Sequence, residues 1–132
     1  MSKRRFTPFY QPYGKDKRVY VSGPMTGYPD HNKDEFAAAS EALRAMDYAV
    51  CNPVETSSLL GERTHEEYLR FDFERVLEAD FLVALDGWEE SLGAQAEIMV
   101  AIRIGTKVWR WHTFEDYDRV TYDDLLDALE RG

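Results

Sequence analysis

Cysteine occurs once in the 132 residues, as Cys51, so no internal disulfide can form and a reducing, intracellular setting is expected. Histidine is almost as scarce. His31, His65 and His112 stand far apart without metal-ligand spacing, and HEEY at 65–68 is not the HExxH of a zinc hydrolase. No metal is expected. Long apolar runs are missing too: the longest fall far short of the roughly 20 residues that span a bilayer. The opening MSKRRFTPFYQPYGKDKR has no apolar signal-peptide core. These absences predict a soluble, cytoplasmic protein with no membrane partner.

Basic residues are few outside the N-terminal stretch. The net charge is −9, yet residues 1–18 hold six Lys/Arg and one Asp, leaving ten bases against 24 acids in residues 19–132. A body so acidic repels polyanions, which argues against a nucleic-acid polymer as partner, because duplex binding rests on many Lys/Arg–phosphate contacts. A small anion held by backbone N–H groups is still compatible. Residues 1–17, with Phe6, Phe9, Tyr10 and Tyr13 among the bases, read as a basic aromatic tail, disordered or docked on a neighbouring surface. The glycine-containing SGPMTG at 22–27 is neither GxGxxG nor a Walker loop, so no nucleotide cofactor is indicated.

What is present is one domain's worth of chain, 18–132, with 44% hydrophobic residues. Arg18–Ser22 is a β-branched and aromatic run ended by Gly23-Pro24. Asn32 with Glu35 fits a capping box opening a helix to about Met46, with Phe36, Ala39, Ala42 and Leu43 on one face. Tyr48–Cys51 is a second strand closed by Asn52-Pro53, and residues 53–61 read as a loop. Thr64 with Glu67 repeats the capping pattern. Phe81–Leu85 is an apolar strand of the kind a doubly covered sheet demands, Ser91–Ile104 an apolar helix, Lys107–Trp111 a strand and Tyr122–Leu129 a last helix.

Strands alternating with helices predict an α/β domain: a three-layer sandwich with a mainly parallel sheet, flavodoxin- or Rossmann-like. Ligands in such sheets bind beyond the carboxyl ends of the strands, which places Ser22–Tyr28, Asn52–Glu55 and Asp86–Ser91 on one rim. Tyr68, Phe71, Trp109 and Trp111 exceed the apolar needs of one small core and suit a subunit contact.

Three residues on or near the rim could carry chemistry. Glu97 is a lone acid in the first half of an apolar helix. Unpaired and buried it would be costly, so it needs a hydroxyl or cation partner or a function; the plain alternative is a half-exposed site beside Arg103. Asp72, between Phe71 and Phe73, is alone most often a surface acid, and Tyr20 most often a core residue with its hydroxyl at an edge. Ser91 is a natural N-cap, with Gly93 and Ala94 leaving first-turn N–H groups open to a ligand. Trp88, in LDGWEES, is the aromatic placed to stack on a base. Cys51 reads as a buried strand end.

Taken in order, VYVSGPMTG, FDFERVLEADFLVAL and SLGAQAE resemble the nucleoside 2-deoxyribosyltransferase superfamily, which includes 2'-deoxynucleoside 5'-monophosphate N-glycosidases. The opening YVSGPMTGYPDHNKDEF with AVCNPVE also looks like small uncharacterised domains frequent in phage genomes, placed beside this superfamily. The resemblance implies Glu97 as nucleophile at C1' of a nucleoside or nucleotide, Tyr20 aiming it, and Asp72 protonating or hydrogen-bonding the departing base. The rim placement gives Ser22, Gly23, Pro24, Met25, Thr26, Asp86, Trp88, Ser91 and Gly93 as expected substrate contacts, with no cofactor and a bacterial or phage-infected cytoplasm, and the resemblance implies a homodimer or larger homo-oligomer. The 5'-phosphate hydrolases carry Ser and Arg in the first loop, whereas Gly23–Gly27 here has no Arg, which leaves Ser91, Thr26 and the N–H groups near Gly93 as the contacts for a phosphate. The alternative reading is a non-catalytic nucleotide-binding module on the same fold, in which Glu97 and Asp72 have no reason to converge.

Overall fold

A computed structural model of the chain describes residues 13–111 and 118–131. His112 and the tail residues Phe6, Phe9 and Tyr10 lie outside the described residues. Four strands form a parallel sheet in the order β2-β1-β3-β4: β1 Arg18–Ser22, β2 Ala49–Cys51, β3 Phe81–Ala84 and β4 Lys107–Arg110. The two central strands are the apolar ones, and β3 is buried along its whole length, as a strand covered on both faces requires.

Alternation along β1 sorts the core into two layers. Val19 and Val21 face helix α1 (Lys33–Ala45), packing with Phe36, Ala39, Leu43 and Phe81. Tyr20 faces the opposite layer, where α3 (His65–Glu78), α4 (Leu92–Arg103) and α5 (Tyr122–Arg131) supply Val76, Ala94, Ile98, Ala101, Leu125 and Ala128. Helices on both sides of one sheet give the expected three-layer α/β sandwich. Trp109 and Trp111 do share a face, but both are buried in the α1-side core, which uses the apolar area assigned from sequence to a subunit contact. Tyr13 joins them: its ring stacks on Phe81 with centroids 4.1 Å apart, and its hydroxyl accepts a 2.9 Å bond from Trp109 Nε1.

Two local readings are corrected. Residues 53–61 are not a loop, because α2 occupies Pro53–Leu60. Asn52-Pro53 ends the strand and also starts the helix: Asn52 Oδ1 accepts from the Val54 N–H at 2.9 Å, and proline's fixed φ suits the first helical position. The second correction concerns Asn32, which sits in the left-handed region and gives no side-chain cap; its amide donates to the Pro24 carbonyl at 3.0 Å and ties the first loop to the start of α1. The Thr64–Glu67 capping box forms in both directions, as its sequence predicts.

The chain steps from β1 to β2 on one side, then crosses to β3 on the other side of β1. The order therefore reverses between β1 and β3. Their carboxyl ends, Ser22 and Ala84, are register partners, and beyond such a reversal the loops diverge and leave a crevice.

Candidate active site

Four elements meet at this crevice. From β1, Tyr20 and Ser22 point to the same face two residues apart; from β2 comes Cys51, the register partner of Tyr20; α3 contributes Asp72 and α4 contributes Glu97. Glu97 is 8% exposed and Ser22 and Tyr20 are fully enclosed. The Tyr20 hydroxyl donates to Glu97 Oε2 at 2.8 Å, and the Ser22 hydroxyl donates to Oε1 at 2.7 Å. The partner demanded by a lone acid in an apolar helix is thus a pair of hydroxyls, not Arg103.

The electrostatics follow from this enclosure. Burial raises the Glu97 carboxyl to about 7; the hydrogen bonds from Ser22 and Tyr20 pull against it, and the Asp72 charge adds to it. Asp72, half-buried, is raised to about 6 by burial. Tyr20 is pushed well above the ordinary phenol range by burial and then by the charges of Glu97 and Asp72, so it stays a donor at neutral pH. Burial likewise lifts the Cys51 thiol to about 11, against a hydrogen bond from Thr56. Two carboxyls raised toward neutrality by burial beside a phenol that stays protonated are groups whose charge is set by their surroundings, as acid–base and nucleophilic chemistry requires.

The rim residues divide. Gly23 is enclosed, and a Cβ there would lie 2.8 Å from the Leu85 Cβ, so glycine lets the first loop cross the β3 end. Pro24 is buried, Met25 half-buried and Thr26 exposed. Gly87 has φ +94°, and a Cβ on it would meet the Tyr28 hydroxyl at 2.7 Å and Pro24 at 3.0 Å, so the two rim loops touch there. Ser91 caps α4 by accepting from the Ala94 N–H at 3.2 Å, and nothing lies within 4 Å of the position a Cβ on Gly93 would take. Asp86 is exposed on the same rim.

Two expectations shift. Trp88 is 2% exposed in the α4–α5 layer, with the Arg110 guanidinium 6.0 Å over its ring, so it offers no free face to stack on a base. It borders a cleft of about 510 Å³ lined by Glu89, Arg110, Asp124 and Asp127, in which Tyr20, Asp72 and Glu97 take no part. Ser22 was expected at the substrate. Its hydroxyl is committed to Glu97 and its carbonyl to the Leu85 N–H. Sequence reasoning also passed over Cys51 and Thr56 as site neighbours. The available signal was register: a strand beginning near Ala49 beside one beginning at Arg18 sets Cys51 opposite Tyr20.

Among the described residues no group of three His, Cys, Asp or Glu side chains could hold a metal ion, and no helix is long and apolar enough to cross a membrane. No curated protein matches the sequence. Among solved structures, a 2-deoxyribosyltransferase from the psychrotolerant bacterium Bacillus psychrosaccharolyticus aligns with a TM-score of 0.59 and 19% identity, covering 75% of this chain and 77% of that one. A conserved protein from Enterococcus faecalis V583 aligns with a TM-score of 0.61 and 27% identity, covering 87% and 75%. The first likeness establishes a shared α/β fold. Residues 17–110, from before β1 to the end of β4, match the family described as Domain of unknown function (DUF4406), and the chain belongs to that family.

Proposed function

We propose that the protein breaks or transfers the N-glycosidic bond of a nucleoside, a deoxynucleoside or its 5'-monophosphate. The observation that carries this reading is the setting of Glu97: a buried carboxyl in an apolar helix, hydrogen-bonded through both oxygens at the carboxyl ends of the strands, with a second raised carboxyl, Asp72, in its field. A purely structural glutamate gains nothing from such a place, because burial costs it its charge. The likeness in fold to a 2-deoxyribosyltransferase supports the same chemistry.

In this reading a Glu97 oxygen attacks C1' as the bond to the base nitrogen breaks. The bonding electrons leave with the base, and Asp72 supplies its proton. Water or a second base then attacks C1', Asp72 takes back a proton, and the Glu97 carboxylate is released. Tyr20 holds Oε2 throughout. With no Arg in residues 23–27, a 5'-phosphate would rest on Thr26, Ser91 and the start of α4 at Gly93, where the space is open, although Ser91 already takes the Ala94 and Gln95 N–H groups. The same reading has a second copy of the chain completing the pocket.

The test is incubation with ribo- and deoxyribonucleosides and their 5'-monophosphates, with and without a second free base, following base release and exchange by chromatography. Glu97→Gln serves as the blank. Release without added base marks a hydrolase, and exchange only with added base marks a transferase. Turnover in the Gln variant equal to wild type, or no turnover on any member alongside a ligand-induced rise in melting temperature, would replace this reading with a nucleotide-binding module.

A further inference from the structure

We propose that Ser22 is a second positioning residue for Glu97, fixing the plane of its carboxylate against the bond that Tyr20 makes. The inference rests on the reading of Glu97 as nucleophile, but its first test does not need turnover. The geometry is specific. Tyr20 donates to Oε2 at 2.8 Å and Ser22 to Oε1 at 2.7 Å, so each oxygen has its own hydroxyl. One donor would leave the carboxylate free to turn about its last side-chain bond; two donors on different oxygens remove that freedom.

The sheet makes this arrangement rigid. Tyr20 and Ser22 are two apart on β1, so both side chains leave the same face, and Ser22 is paired with Ala84 of β3 while its carbonyl accepts the Leu85 N–H at 2.8 Å. Ser22 has no exposed surface, so its hydroxyl has no water to prefer over Glu97. A group already aimed loses less freedom on reaching the attack geometry, and that saving appears in kcat and not in substrate affinity. When Oε1 forms the bond to C1', the Ser22 hydrogen bond is weakened while Oε2 keeps its Tyr20 donor. The ester carbonyl of the glycosyl-enzyme is thereby held for the second step. Three other titratable groups face this carboxyl: Tyr20 of β1, Asp72 of α3 and Cys51 of β2.

The experiment is a carbon-13 titration of the full chain labelled at the glutamate carboxyls, with the Glu97 signal assigned by its loss in Glu97→Gln. Ser22→Ala removes one donor to the charged form, so the Glu97 midpoint moves upward by about one pH unit, the worth of one such bond. Ser22→Thr keeps the hydroxyl on a strand that tolerates β-branching and returns the midpoint to within about 0.3 unit of wild type, a fraction of that shift. On the substrate that responds in the panel, Ser22→Ala lowers kcat about tenfold when each protein is compared at its own pH optimum, with KM changed less than about twofold. A midpoint unmoved in Ser22→Ala overturns the proposal, whatever the enzyme does. A shifted midpoint with no turnover on any substrate keeps the hydrogen-bond role and removes the glycosidic reading; turnover with midpoint and kcat both unmoved does the reverse.

Discussion

The Tyr20 hydroxyl reaches Glu97 Oε2 at 2.8 Å across 77 positions of sequence, joining the middle of the central strand to the second turn of α4. Removing that hydroxyl leaves a buried acceptor with one donor fewer. Tyr20→Phe is expected to keep the fold, because the ring and its packing stay, and to lower kcat by about 10- to 100-fold, the usual range for one charge-assisted bond lost at a reacting carboxylate. Steady-state kinetics beside a thermal melt separates the two effects. An unchanged kcat would sever Tyr20 from the reaction.

Burial raises Asp72 to about 6 and Glu97 to about 7, and the Asp72 charge adds to the rise at Glu97. The working form has Glu97 ionised and Asp72 protonated, the minor arrangement of a single proton between groups with these values, and it peaks between them. The rate is therefore bell-shaped in pH, with its optimum between about 6 and about 7 and falling on both sides. Asp72→Asn takes away the proton donor: kcat drops by about 10²-fold for a base that needs protonation, and the alkaline limb disappears. A bell of unchanged width in the Asn variant would assign that limb to another group.

How much of this could be read from residues alone differs between fold and site. The strands came through because β1 and β3 are short apolar runs bounded by Gly-Pro and by polar turns, and alternation with amphipathic helices leaves few other architectures. Helix α2 is not legible in the sequence for a physical reason: Asn-Pro is both a strand terminator and an N-cap with proline at the first helical position, and residues 53–60 have no apolar periodicity to decide between them. Glu97 announced itself as an anomaly of composition, whereas Ser22 did not, since a serine at a strand end is ordinary until the neighbouring helix is placed. Trp88 misled because loop aromatics are exposed in the average case, and here the loop folds its indole under Arg110.

Gly87 makes a test of the rim that does not touch the acids. Its φ of +94° is strained for any L side chain, and a Cβ would overlap the Tyr28 hydroxyl at 2.7 Å. Gly87→Ala is expected to cost about 1–2 kcal/mol from backbone conformation alone. Adding Tyr28→Phe recovers only the part due to the hydroxyl. Chemical denaturation of the two variants apportions the strain, and a single variant as stable as wild type would show that the loops are not in contact through Gly87.

The burial of Glu97 also fixes how stability changes with pH. In the unfolded chain this carboxyl loses its proton near its ordinary value of 4.5, and in the folded protein near about 7. Between these values the folded state retains a proton that the unfolded state has released, so this group's contribution is greatest below about 4.5 and is lost as pH rises to about 7. The full difference is about 3 kcal/mol, at about 1.4 kcal/mol per pH unit. Glu97→Gln cannot ionise; its amide oxygen keeps one hydroxyl donor, and the other hydroxyl must turn to accept from the amide nitrogen, a cost that does not change with pH. Its stability relative to wild type should therefore rise by about 3 kcal/mol between pH 4.5 and pH 8, while the slope due to Asp72 remains in both proteins. Urea denaturation at a series of pH values measures this directly. A constant difference across that range would mean that the carboxyl is ionised at its ordinary value, and with it would go the claim that the site holds Glu97 at the edge of its charge.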